Sequence, residues 1–128
     1  MNQSKIISFI QFQLPMAAWC LFIFMASSIP QAKLPALEHY SDKVVHASVF
    51  AVLAWLTHVA LFHQPYRFLR RHSLSITFLF VVLYGMSDEF HQYFTPGRST
   101  DIFDVMADAF GALVYSGIQL RFRFYRDE

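Results

Sequence analysis

Residues 6–29 read IISFIQFQLPMAAWCLFIFMASSI, a stretch without one charged side chain. As a helix at 1.5 Å per residue it reaches about 36 Å, more than the roughly 30 Å hydrocarbon core of a bilayer. Three further apolar runs follow. Residues 44–62 carry only His46 and His58 as titratable groups, and residues 102–120 contain Asp104 and Asp108. The run at 73–87 is too short to span unless it takes in Asp88 to Tyr93, which extends it to residues 73–93. Backbone groups in lipid must be satisfied within their own segment, so these runs are expected to be helical despite their many Val, Ile and Phe residues.

Composition agrees. The chain has 128 residues, room for one domain, and is 55% hydrophobic with 15% charged residues, against about 25% charged in soluble domains. Fifteen residues are Phe, and a water-soluble chain this small has little interior in which to hide them. A net charge of +1 supplies no basic field for nucleic acid. The lone Cys20 excludes an intrachain disulfide and a cysteine-based metal site. A cleaved leader is the alternative for the first run, with Lys5 as its basic region and Ala26-Ser27-Ser28 as the small-residue site. The run is longer than a leader's apolar region and contains Pro15, which disfavours this reading.

The expected fold is therefore all-α: an integral membrane four-helix bundle in a single domain, residues 1–128, with helices at about 6–29, 44–62, 73–93 and 102–120. Lys and Arg in the short connections set the orientation. Lys5, Arg67, Arg70, Arg71, Arg121, Arg123 and Arg126 fall on one side, and Lys33, Lys43 and Arg98 on the other. Both termini are expected in the cytoplasm (N-in/C-in), with the first and third connections outside.

The unusual polar residues gather on the outward side. Asp42 and His46 are four apart on the second helix and share a face. Asp88, His91 and Gln92, with Tyr84, share a face of the third, and Glu89 sits among them. Asp101, Asp104 and Asp108 line one face of the fourth, continued by Gly111. An intramembrane carboxylate costs about 2.5–3.5 kcal/mol on insertion scales, so Asp104 and Asp108 should face the interior and find partners among Arg98, Lys43 and the histidines. Asp104 is expected to pair with Arg98 or His46. Small residues Gly85, Ala107, Gly111 and Ala112 should let the third and fourth helices approach closely. Simpler roles exist: Asp42 as a helix N-cap, Lys43 snorkelling to the interface, Pro96-Gly97 as a turn, Tyr84 and Trp55 as packing or interface residues.

These segments resemble the VanZ-like family of bacterial membrane proteins. The elements that carry the resemblance are Ser28-Ile29-Pro30, Asp42-Lys43-Val44-Val45-His46, Tyr84-Gly85-Met86-Ser87-Asp88-Glu89-Phe90-His91-Gln92, Pro96-Gly97-Arg98, and Asp101-Ile102-Phe103-Asp104 continuing to Ala107-Asp108-Ala109-Phe110-Gly111. They cover nearly the whole chain. One departure is Asp108, where the family often has Asn. The resemblance implies a multi-pass protein of the bacterial cytoplasmic (inner) membrane, and a link to cell-envelope chemistry and to low-level resistance to teicoplanin, a glycopeptide antibiotic.

Two classes of function fit. In the first, the outward site acts on a cell-envelope lipid or lipid-linked precursor. His46, Asp88, Glu89 and Asp104 are then the catalytic candidates. Lys43, Gln92, Arg98 and Asp101 would hold the substrate, and Asp42, His91 and Asp108 complete the polar network. A divalent cation is compatible with these donors but not required by them. In the second class the network is non-catalytic and locks the bundle, or presents a surface to a partner. An ion path is disfavoured, because the cytoplasmic half of the chain lacks intramembrane acids. An open cavity beside His46, Glu89 and Arg98 would favour the first class, and a closed, fully paired network the second.

Overall fold

The computed structural model describes residues 3–36 and 39–126, and every regular element among them is helical. The side chains of Lys5, Arg123 and Arg126, which the charge count uses, lie outside the described set. The first apolar run forms α1 (Gln3–Ser8), a π-helical turn (Phe9–Gln13) and α2 (Leu14–Ser27). Pro15 explains the turn. It has no N–H, and its ring would collide with the carbonyl four residues back, so the helix widens just before it. Gln13 Nε2 then donates to the Ala60 carbonyl at 2.9 Å, tying this turn to the next long helix. Ser27 is the last helical residue, and Pro30 follows in extended conformation (φ −57°, ψ 143°).

The other long helices are α3 (His39–Phe62), α5 (Ser73–Gln92) and α6 (Ile102–Arg126), with a basic turn, α4 (Arg67–Arg71), before α5. Two boundaries differ from expectation. The α3 helix begins five residues before Val44, so Asp42 lies within its first turn rather than capping it. The α6 helix runs past Leu120 to Arg126, because Leu-Arg-Phe-Arg-Phe holds good helix formers and no breaker. Sequence hydrophobicity marks where a helix can be buried, not where its backbone ends.

Helix α3 packs against α2, α5 and α6, and α5 packs against α6. Ile23, Phe50, Leu53, Ala54, Val81 and Ala112 form the shared core. Trp19 Nε1 donates to the Val49 carbonyl (3.1 Å) and Tyr84 Oη to the Cys20 carbonyl (2.6 Å), locking α2 onto α3 and α5. Gly85 leaves room for Asp108, whose Oδ2 would lie 2.7 Å from an added Cβ. Gly111 does not serve the α5–α6 contact as expected. It lies against α3, where a Cβ would run into the Ala47 carbonyl.

The surface is inverted. Asp88, Glu89, Gln92, Asp104 and Asp108 are buried, while Phe103, Met106, Phe110 and Leu113 are more than half exposed. Such an arrangement is unfavourable in water and favourable in lipid. Among the described residues three helices, Ile6–Ser27, Tyr40–Phe62 and Ser73–Gln92, are long and apolar enough to cross a membrane. The α6 helix is long enough but is not among them, since Asp104, Asp108 and Gln119 lower its mean hydropathy.

Gly111→Ala should destabilise the protein by about 1–3 kcal/mol, because the α3–α6 backbones must separate. Gly117 has nothing within 4 Å of an added Cβ, so Gly117→Ala should not lower the unfolding temperature in detergent. Equal melting temperatures for the two variants would contradict the packing described.

Candidate functional site

Five segments meet at one end of the helices: the C-terminal turns of α2 and α5, the N-terminal turns of α3 and α6, and the loop before α6. The loop is shaped by Gly97 at φ 75°, a left-handed conformation suited to glycine. It is held against the first connection by Gln31 N–H donating to the Pro96 carbonyl (3.2 Å). Asp101 caps α6, its Oδ1 accepting from Phe103 N–H at 2.9 Å. Glu89 Oε2 accepts the Asp101 N–H at 2.9 Å. A carboxylate is favourable at a helix N-terminus, where the unpaired N–H groups carry partial positive charge.

Lys43 does not snorkel outward. Its side chain is 18% exposed, and its ammonium lies 2.7 Å from Asp101 Oδ2, bonds to Asp104 Oδ1 and sits 3.8 Å from Asp42 Oδ2. Asp104 therefore pairs with Lys43, not with Arg98. One turn places Lys43 beside both α6 acids, whereas the loop carries Arg98 toward α2. There Nη2 donates to the Ala26 carbonyl at 3.3 Å. Among the described residues no carboxylate oxygen lies within 4.0 Å of Arg98, and its buried Nε has no hydrogen-bond partner. His46 Nδ1 lies 3.0 Å from Asp108 Oδ1, and Nε2 is 3.9 Å from Asp104 Oδ2, too far for a hydrogen bond.

A second network joins α2 to α5. Ser27 Oγ donates to Asp88 Oδ1 (2.5 Å), and Gln92 Nε2 donates to Asp88 Oδ2 (3.1 Å). Thr95 Oγ1 donates to the Ser27 carbonyl (3.0 Å). Ser27 and Thr95 escaped the sequence reading, because small hydroxyl residues at helix ends carry no periodic signal. His91 stands aside, with Nε2 2.9 Å from Ser28 Oγ and its ring on Phe24.

Between the networks lies an open cavity of about 660 Å³, within the range of small-molecule sites. Asp42, Lys43, His46, Asp88, Gln92, Arg98, Asp101 and Asp104 line it, together with the apolar Phe22, Ile23, Ile29, Leu34, Val45, Val49 and Phe50. Glu89, His91 and Asp108 are not part of its lining. Asp42, His46 and Asp104 each offer one ligand atom within 4.8 Å of the others, a spacing that suits a metal ion.

The VanZ/LLP1 family model matches residues 5–123. No curated protein and no solved structure matches the chain.

The Lys43 contacts make a testable energetic claim. Removing one partner of a buried ion pair costs about 3–5 kcal/mol. Lys43→Met should lower stability by an amount in this range, and adding Asp104→Asn should cost little more. Strictly additive losses in the double-mutant cycle would show that the two side chains do not interact.

Proposed function

The chain belongs to the VanZ/LLP1 family, and from that premise we propose that it is a four-span protein of the bacterial inner membrane whose outward-facing cavity binds a cell-envelope lipid or lipid-linked precursor. The inward polar face of α6 supports a fourth span: its acids are buried and Phe103, Met106, Phe110 and Leu113 face outward. The Lys and Arg distribution supports cytoplasmic termini and an outer position for the cavity.

The observation that carries the binding reading is the mixed lining of the cavity, charged and apolar side chains together. An amphiphile presents a polar headgroup and an apolar chain at one boundary, and this cavity offers surface for both. Among the described residues Arg98 has no carboxylate oxygen within 4.0 Å, and its buried Nε has no partner; Arg forks match phosphate and carboxylate groups. Of the catalytic candidates, His46, Asp88 and Asp104 line the cavity. Asp88 is engaged by Ser27 and Gln92, and Glu89 by the start of α6, so both fit a positioning role better than a reacting one. Capture of an envelope precursor at this boundary is the form in which a link to teicoplanin-type resistance would operate.

A second reading has the polar network only lock the helices. The ion pairs of Lys43 and the Ser27–Asp88–Gln92 network favour it. The open cavity and the unpartnered Arg98 Nε weigh against it, since a purely structural network gains by closing.

Orientation is tested by cysteine labelling in a Cys20→Ser background. A membrane-impermeant maleimide should label Ser99→Cys in cells with an intact inner membrane, and Tyr66→Cys only after that membrane is permeabilised. The reverse pattern would overturn the topology. Binding is tested by native mass spectrometry of protein released from membranes. Wild type should carry one amphiphile per chain, and Arg98→Gln should lower its occupancy at least ~10-fold, the loss expected for one charge-assisted contact. Equal occupancy in a folded Arg98→Gln protein would leave the locking role.

A further inference from the structure

The geometry around His46 points to a metal centre: we propose that Asp42, His46 and Asp104 bind one divalent transition-metal ion of the zinc class, with a coordination position open to the cavity. The proposal does not depend on the lipid reading.

Three observations carry it. The first is the fit of the ligand atoms. One atom each from Asp42, His46 and Asp104 lies within 4.8 Å of the other two. An ion centred among them is at most about 2.8 Å from each, about 0.7 Å beyond a normal zinc bond of roughly 2.0–2.2 Å. Small side-chain rotations close that gap.

The second is the state of His46. Asp108 is fully buried, and its Oδ1 is 3.0 Å from His46 Nδ1. That contact occupies Nδ1 and leaves Nε2 without a hydrogen bond among the described residues. Across 3.9 Å stands Asp104 Oδ2, on a residue 5% exposed. Asp104 Oδ1 is already taken by Lys43, while Oδ2 makes no hydrogen bond among the described residues. A cation seated between Nε2 and Oδ2 would be within reach of both. A histidine anchored through its other nitrogen to a carboxylate is the usual support of a metal-ligating imidazole.

The third is charge. Four carboxylates line the cavity, Asp42, Asp88, Asp101 and Asp104, against two fixed cations, Lys43 and Arg98. A divalent ion makes up that deficit. An imidazole with two carboxylates selects a borderline metal such as Zn²⁺ or Fe²⁺ over Ca²⁺, which takes oxygen ligands. Three protein ligands and a free position facing the cavity is the pattern of a metal that meets a ligand or a water.

The test uses tag-free full-length protein in detergent, stripped with a chelator, then dialysed against micromolar Zn²⁺ and analysed for metal. Wild type should hold one zinc per chain, and His46→Gln and Asp104→Asn should each weaken binding at least ~100-fold. Asp42 lies at the rim, its side chain 38% exposed, so Asp42→Asn folds whatever the metal does and should weaken binding at least ~10-fold. His72→Gln, at an exposed histidine of the basic turn, should bind as wild type does. Wild type holding less than about a tenth of an equivalent would overturn the proposal, and so would undiminished binding in Asp42→Asn together with His46→Gln. Lipid occupancy is measured on separate samples, so the two proposals fail independently.

Discussion

The ammonium of Lys43 is the contact on which this end of the molecule depends. It belongs to α3, and its carboxylate partners Asp101 and Asp104 belong to the start of α6. In a low-dielectric setting a carboxylate without a counter-charge is several kcal/mol too costly to keep, so α6 enters the packed helices where Lys43 meets it. Everything downstream follows that register. Asp108, one turn deeper, comes to His46; Gly111, the next turn, comes to the Ala47 carbonyl. Glu89 reinforces the same point from α5 by accepting the Asp101 N–H.

Polarity is turned inside out as a consequence. A helix bearing Asp104 and Asp108 can stay in an apolar environment only by presenting them to its neighbours, which leaves Phe103, Met106 and Phe110 on the outside. This constraint also sets the glycine positions. The carboxylate of Asp108 needs the space that Gly85 vacates, and α6 needs the close approach to α3 that Gly111 permits. Helix association in lipid gains little from apolar contact alone, so close backbone approach and polar pairing specify the partners.

The polar residues divide by what they leave open. Ser27, Asp88 and Gln92 satisfy one another and fasten α2 to α5. Arg98, His46 and Asp104 instead line a cavity of about 660 Å³, and Arg98 Nε is buried without a partner among the described residues. A molecule built only for stability has no use for such an atom, because a half-satisfied buried network is worse than an apolar one. The proposed ligands, an amphiphile beside Arg98 and a divalent ion at His46, both belong to that cavity.

Much of this protein is legible in its sequence. The uncharged run at 6–29 and its three companions establish helices in an apolar setting, because span length and backbone satisfaction leave no other structure. Helical spacing put Asp42 beside His46, and Asp101, Asp104 and Asp108 on one face, since a 3.6-residue period is a local property. Gly97 was readable as a turn for the same reason. Which side chains from different helices meet was not readable. The sequence offers Arg98, Lys43, His46 and His91 as partners for Asp104 and points to Arg98 or His46, whereas the packing of α3 against α6 selects Lys43 and sends Arg98 to the Ala26 carbonyl. Ser27 and Thr95, the cavity itself, and the gap between His46 and Asp104 likewise exist only once the helices are assembled. A partner across the bundle is chosen by rotation and register between helices, and neither is encoded in the spacing along any one of them.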